Sequence, residues 1–130
     1  MTNKRIETDQ APAAIGPYCQ AVAAGDWVYC SGQLALDPSD GQMQGNGDIE
    51  VETRQVLRNL DAVLKKAGAN RGNVVKATVY LTDMSEFSKM NQVYAQFFEG
   101  HTPPARATVQ VAALPRGAKV EIDFTARVER

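Results

Sequence analysis

Two hydrophobic rhythms divide the chain. Gln20–Ala24 and Trp27–Leu34 read as strands on either side of Gly25-Asp26, a pair suited to a two-residue hairpin turn. Asp37 to Gly47 holds three Gly, one Pro, two Asp and one Asn, which predicts a loop between elements. A helix follows over Ile49–Ala67. Leu57, Leu60, Leu64 and Ala67 recur at helical spacing, and Val56 and Val63 widen the stripe. Asp48 is the expected N-cap, Glu50 and Glu52 lie in the first turn, Lys65 and Lys66 in the last, and Gly68 ends the helix.

The rhythm then returns to a period of two. Over Val74–Thr82, Val75, Ala77, Val79 and Leu81 share one face, leaving Lys76, Thr78, Tyr80 and Thr82 opposite. A second helix is predicted over Glu86–Phe98. Ser85 is its cap, Gly100 its stop, and Phe87, Met90, Val93, Tyr94, Phe97 and Phe98 its apolar arc. Two alternating strands complete the pattern. Ala105, Ala107, Val109 and Val111 lie opposite Arg106, Thr108 and Gln110. Val120, Ile122, Phe124, Ala126 and Val128 lie opposite Lys119, Glu121, Asp123, Thr125 and Arg127. The order is two or three strands, helix, strand, helix, strand, strand, an α+β arrangement in which two helices cover one face of a sheet. The other face is expected to carry Arg106, Thr108, Glu121, Thr78 and Tyr80. Such a face is either solvated or packed on copies of itself around a symmetry axis.

Length and charge narrow the function classes. The 130 residues suit a single domain, residues 1–130, with no linker or repeat. A formal net charge of -1 gives no nucleic-acid footprint. The apolar runs fall far short of the ~20 residues of a membrane span, and the polar Met1–Gln10 lacks a signal-peptide core. A cytoplasmic protein is expected. Two cysteines, Cys19 and Cys30, then predict reduced thiols. One histidine, His101, and no zinc-type spacing leave no metal site to predict.

Arg106 carries the clearest chemical signal. Thr102-Pro103-Pro104-Ala105 delivers it stiffly to the start of a strand, where a guanidinium grips a carboxylate through two parallel hydrogen bonds. A solvated arginine is the competing reading. Glu121 is placed to act as a base for water, or is one exposed charge in an alternating pattern. Asn91 borders the apolar arc of the second helix, facing either a ligand or a neighbour. Tyr18 follows Gly16-Pro17, which sets the chain before its phenol. Ser31-Gly32 lies within a strand, where glycine marks close approach by a ligand or a neighbouring segment. Neither cysteine has a base placed beside it.

Taken together, Ile15-Gly16-Pro17-Tyr18, Tyr29-Cys30-Ser31-Gly32-Gln33, Pro103-Pro104-Ala105-Arg106, Leu114-Pro115 and Val120-Glu121-Ile122-Asp123 resemble the Rid family, the YjgF-like reactive intermediate deaminases, and within it the RidA branch. The motifs run in family order along nearly the whole chain. The resemblance implies a chorismate-mutase-like α+β fold: one mixed sheet, two helices on one face, and the last strand inserted between earlier ones. It implies a homotrimer with active sites in clefts between subunits. It implies hydrolysis of 2-aminoacrylate and related enamines and imines to 2-keto acids and ammonia, without cofactor or metal. Carried over, Arg106 binds the substrate carboxylate and Glu121 helps activate water, while Tyr18, Ser31, Gly32, Asn91 and Thr108 line the pocket. Many RidA-like proteins have cysteine where this chain has Thr108; the family uses that position largely through its backbone. The competing functions are a deaminase of a larger, 2-aminomuconate-like substrate, a non-catalytic small-ligand binder, and a ribonuclease. The last is disfavoured by a pI near 5.8.

Overall fold

A computed structural model describes residues 2–129. Six strands and two helices are present: β1 (Lys4–Ile6), β2 (Ala21–Ala24), β3 (Trp27–Gln33), α1 (Ile49–Lys66), β4 (Val74–Leu81), α2 (Phe87–Phe97), β5 (Ala105–Gln110) and β6 (Val120–Arg127). Short 3-10 turns occupy Arg71–Asn73, Met84–Glu86 and Pro115–Gly117. None of the described helices is long and apolar enough to cross a membrane.

The strands form one mixed sheet in the order β1-β2-β3-β6-β4-β5. β6 lies antiparallel between β3 and β4, and β5 runs parallel to β4 at the edge. β2 and β3 form the expected tight hairpin, with Ala24 paired to Trp27 and Gly25 at φ 63°, the left-handed conformation glycine supplies without strain.

α1 begins where the sequence indicates. The Asp48 carboxylate accepts hydrogen bonds from the backbone N–H groups of Glu50 and Val51, satisfying two orphan donors of the first turn. Its buried stripe contains Val56, Leu57, Leu60, Val63 and Leu64, which pack with Val79, Leu81, Ile122 and Phe124 from the sheet. Truncating one of these leucines to alanine costs about 2–5 kcal/mol in a core of this kind. Four polar side chains are also buried along α1: Thr53 donates to the Ile49 carbonyl within the helix, and the other three reach outward. Asn59 donates to the carbonyls of Leu34 and Leu36, Gln55 donates to Asn59, and Glu52 accepts the N–H of Lys119 at 3.0 Å. They fasten the chain leaving β3 and the chain entering β6 to one helix.

The start of α2 differs from expectation. Asp83, not Ser85, supplies the side-chain cap: its carboxylate accepts from Ser85 N and Oγ and starts the Met84–Glu86 turn, which runs into α2. An aspartate two residues upstream makes the same local bond with a stronger acceptor.

Two face assignments are also corrected. β4 bulges against β6 between Val74 and Lys76, so Val74 takes the buried place and Val75 is 42% exposed. The larger correction concerns β5. Arg106 is paired with Ala77 and Thr108 with Val79, both fully buried, so Arg106 and Thr108 face the helix layer. Ala107 and Val109 face the open side with Thr78 and Tyr80. Alternation identifies two faces of a strand without saying which is covered, and here the open face is itself partly apolar. Trp27 and Tyr29 on β3 and Val109 on β5 are 40%, 50% and 42% exposed.

Candidate active site

Three residues of one α2 stripe hold Arg106. Phe87, Asn91 and Tyr94 are spaced i, i+4, i+7, which stacks them on one side of the helix. Arg106 Nη1 donates to Asn91 Oδ1 at 2.7 Å. The guanidinium carbon lies 4.7 Å from the Tyr94 ring centre and 5.5 Å from that of Phe87. Such contacts are worth roughly 0.5–2 kcal/mol each and orient the planar group. Among the described residues Nε and Nη2 have no hydrogen-bond partner. They remain the donors a carboxylate would use. Asn91 is therefore bonded to a neighbour, and that neighbour is Arg106. The surrounding cleft, about 450 Å³, is lined by Asn91, Tyr94, His101, Pro103, Pro104 and Arg106, among others. Thr108 lies two residues further along the same side of β5, and its Oγ1 is buried without a partner among the described residues.

Glu121 lies on the opposite side of the sheet, paired across β4 with Tyr80. Its carboxyl group sits against the β3 bulge, where Ser31 and Gly32 together span the space between the Cys30–Phe124 and Gln33–Ile122 pairs. A Cβ built on Gly32 would fall on this carboxylate, 2.8 Å from Cδ and nearer still to Oε2. The close approach marked by Gly32 is thus made by the Glu121 side chain. Ser31 Oγ donates to the carbonyl of Cys19 at 2.6 Å, which ties the Tyr18 loop to the bulge. Tyr18, Ser31, Gly32 and Glu121 all line a cleft of about 640 Å³, together with Pro12 and Ile15 among others. A separate open groove of about 600 Å³ along α1, beside Arg58, Asp61 and Lys65, contains none of these residues.

Burial, and secondarily the charge of Asp123, hold the Glu121 carboxyl above its ordinary range. Asp123 is also raised by burial, against the opposing pull of its 3.1 Å bond from Tyr80 Oη. A carboxylate with a raised pKa and, among the described residues, no hydrogen-bonded cation is suited to take a proton from water. Cys30 shows the contrary case: burial pushes its thiol to about 12, leaving it inert near neutrality. Among the described residues no three His, Cys, Asp or Glu side chains converge as metal ligands.

One chain therefore brings Arg106, Asn91 and Thr108 together on one side of the sheet, and Tyr18, Ser31, Gly32 and Glu121 on the other. Phe87 and Tyr94 were legible only as part of an apolar arc. The signal for their second role was their spacing from Asn91.

A family model described as endoribonuclease L-PSP matches residues 8–128. A RutC family protein of Synechocystis is 51% identical over 97% of each chain. A mouse protein named 2-iminobutanoate/2-iminopropanoate deaminase is 53% identical over 95% of this chain and 90% of its own. A crystal structure of Escherichia coli TdcF with bound serine superposes with a TM-score of 0.92 at 42% identity, covering 97% of this chain and 99% of that one.

Proposed function

The chain belongs to the endoribonuclease L-PSP family, the YjgF/Rid proteins with the chorismate-mutase-like fold, and from that premise we propose that it hydrolyses the enamines and imines of small 2-amino acids to 2-keto acids and ammonia. The observation that supports this most directly is the unfilled edge of Arg106, held in plane by Asn91 and two rings. It matches a small planar carboxylate. The deaminase name of the mouse relative points to the same substrate class.

In this reading Arg106 binds the carboxylate and Glu121 acts on water. Glu121 accepts a proton as the water oxygen adds to the C2 carbon of the imine and passes it to nitrogen, giving a carbinolamine. The hydroxyl proton of that carbinolamine then moves to nitrogen through the same carboxylate, the carbon–nitrogen bond breaks, and ammonia leaves as the C2 carbonyl forms. Imines already hydrolyse in water, so fixing the substrate and one water supplies much of what is needed; orientation of this kind is worth up to ~7–11 kcal/mol in the best cases.

The two half-sites lie on opposite sides of one sheet, so we further propose that a complete site forms between copies. The Arg106 cleft of one subunit faces the Glu121 cleft of the next, and the apolar open face around Trp27, Tyr29 and Val109 is covered in a trimer. A net charge of -1 gives a nucleic-acid backbone no overall attraction, which favours the small-molecule reading over a ribonuclease.

A coupled assay tests the activity. A pyridoxal-phosphate-dependent serine dehydratase releases 2-aminoacrylate, and pyruvate is followed with and without the protein. Acceleration over the spontaneous rate is expected, and an unchanged rate would remove this function.

A further inference from the structure

We propose that Tyr94 is a further ligand-binding residue, whose phenol donates a hydrogen bond, directly or through one water, to the carboxylate held by Arg106. This rests on the carboxylate reading of Arg106 given above and adds a hydrogen bond to the ligand to a residue so far described only as a ring that holds Arg106.

Tyr94 is 5% exposed, and its hydroxyl is buried with no hydrogen-bond partner among the described residues. Buried hydroxyls are nearly always bonded, because an unpaired one has given up water and gained nothing. Packing alone does not explain a tyrosine here. Phe87, two stripe positions away, offers Arg106 a ring without a hydroxyl, and Phe98 packs on the Tyr94 ring with centroids 5.0 Å apart. A phenylalanine would fill the same space without the orphan group.

Position links that hydroxyl to the ligand. The ring lies 4.7 Å from the Arg106 guanidinium carbon, and Tyr94 lines the same cleft as Asn91, His101 and Arg106. The Tyr94 ring is therefore held beside the guanidinium whose Nε and Nη2 have no hydrogen-bond partner among the described residues. Thr108 adds a second buried hydroxyl without a partner, on the same side of β5. Tyr94 and Arg106 thus bring donors without partners among the described residues to one cleft, as anion binding requires. Burial raises the Tyr94 phenol, against the pull of Arg106, so at neutral pH it is protonated and able to donate.

Calorimetric titration with pyruvate, together with melting temperatures, tests this in the full chain. Tyr94→Phe keeps the ring and removes only the oxygen. It should weaken pyruvate binding about tenfold, the loss typical of a hydrogen bond to a charged group, without lowering the melting temperature. Tyr94→Leu, which also removes the ring beside Arg106, should weaken binding further. If Tyr94→Phe binds within about twofold of the parent while Arg106→Ala loses binding, the Tyr94 role is wrong and the Arg106 reading stands. A lower melting temperature in Tyr94→Phe would show the hydroxyl to be structural and would also overturn the proposal. If the parent binds no pyruvate, or Arg106→Ala binds it as well as the parent, the carboxylate reading itself fails.

Discussion

The carboxyl group of Glu121 occupies the space where a side chain on Gly32 would begin. The obstructing atoms are the far end of a flexible side chain, so a methyl at position 32 displaces the carboxylate more readily than the backbone. Gly32→Ala should therefore melt close to the parent and lose most of its turnover. Differential scanning calorimetry beside the coupled assay separates the two effects. Full turnover in Gly32→Ala would mean that the placement of Glu121 is unimportant.

Arg106 and Glu121 should fail in different ways. Arg106→Lys keeps the charge and loses the planar fork, which should weaken pyruvate binding by about ten- to a hundredfold, and Arg106→Ala by more. Glu121→Gln keeps the shape and cannot accept a proton, so kcat should fall while pyruvate binding changes little. Titrations of the variants, set beside their kcat values, would show the split or its absence.

pH should move stability and activity in opposite directions on the acid side. Glu121 and Asp123 are both raised above ordinary carboxylates, chiefly by burial. A carboxyl raised in the folded state contributes stability that is fully present below its unfolded value, about 4, and is lost as pH rises through the folded value. Turnover needs ionised Glu121 and should rise over that same interval. In Glu121→Gln the pH dependence of the melting temperature should become shallower. A dependence as steep as the parent's would assign it to Asp123 and other groups.

Neither thiol should be a nucleophile. With Cys30 buried and pushed up to about 12, it should resist iodoacetamide in the native protein at about pH 8 and react after unfolding. Cys19→Ser and Cys30→Ser, where folded, should keep most of their turnover. A thousandfold loss in either, well beyond a merely perturbed site, would contradict this.

In solution the chain should be a trimer. Light scattering coupled to gel filtration should give about three times the 14.1 kDa chain mass. A stable, active monomer would require Arg106 and Glu121 to act from separate clefts, which the shared-site reading does not allow.

Much of the fold was legible because strong local signals agreed with the packing. Asp48 caps α1 as expected, the Leu57–Leu60–Leu64 stripe is buried, and Gly25-Asp26 turns the hairpin. What alternation misplaced is the side of β5. Four small or branched apolar residues looked like the covered set, yet an exposed Val109 lies on the open face, whereas Arg106 rests on the rings of α2. An arginine stem and guanidinium can pack on aromatic rings, so polarity alone did not identify its side. The Gly32–Glu121 contact was half legible. Glycine within a strand announced a close approach, and its partner lies 89 positions away on a strand whose place in the sheet no local pattern specifies.

The position of β6 between β3 and β4 sets a timetable for synthesis. Without residues 120–127, β1-β2-β3 and β4-β5 have no strand to join them, and each ribbon has an inner edge without a partner. Bare edges of this kind are templates for wrong pairing, and distant pairings form slowly. The sheet therefore becomes continuous only when the last strand is in place. A polypeptide ending before residue 120 would lack the central strand, leaving two open edges prone to aggregate.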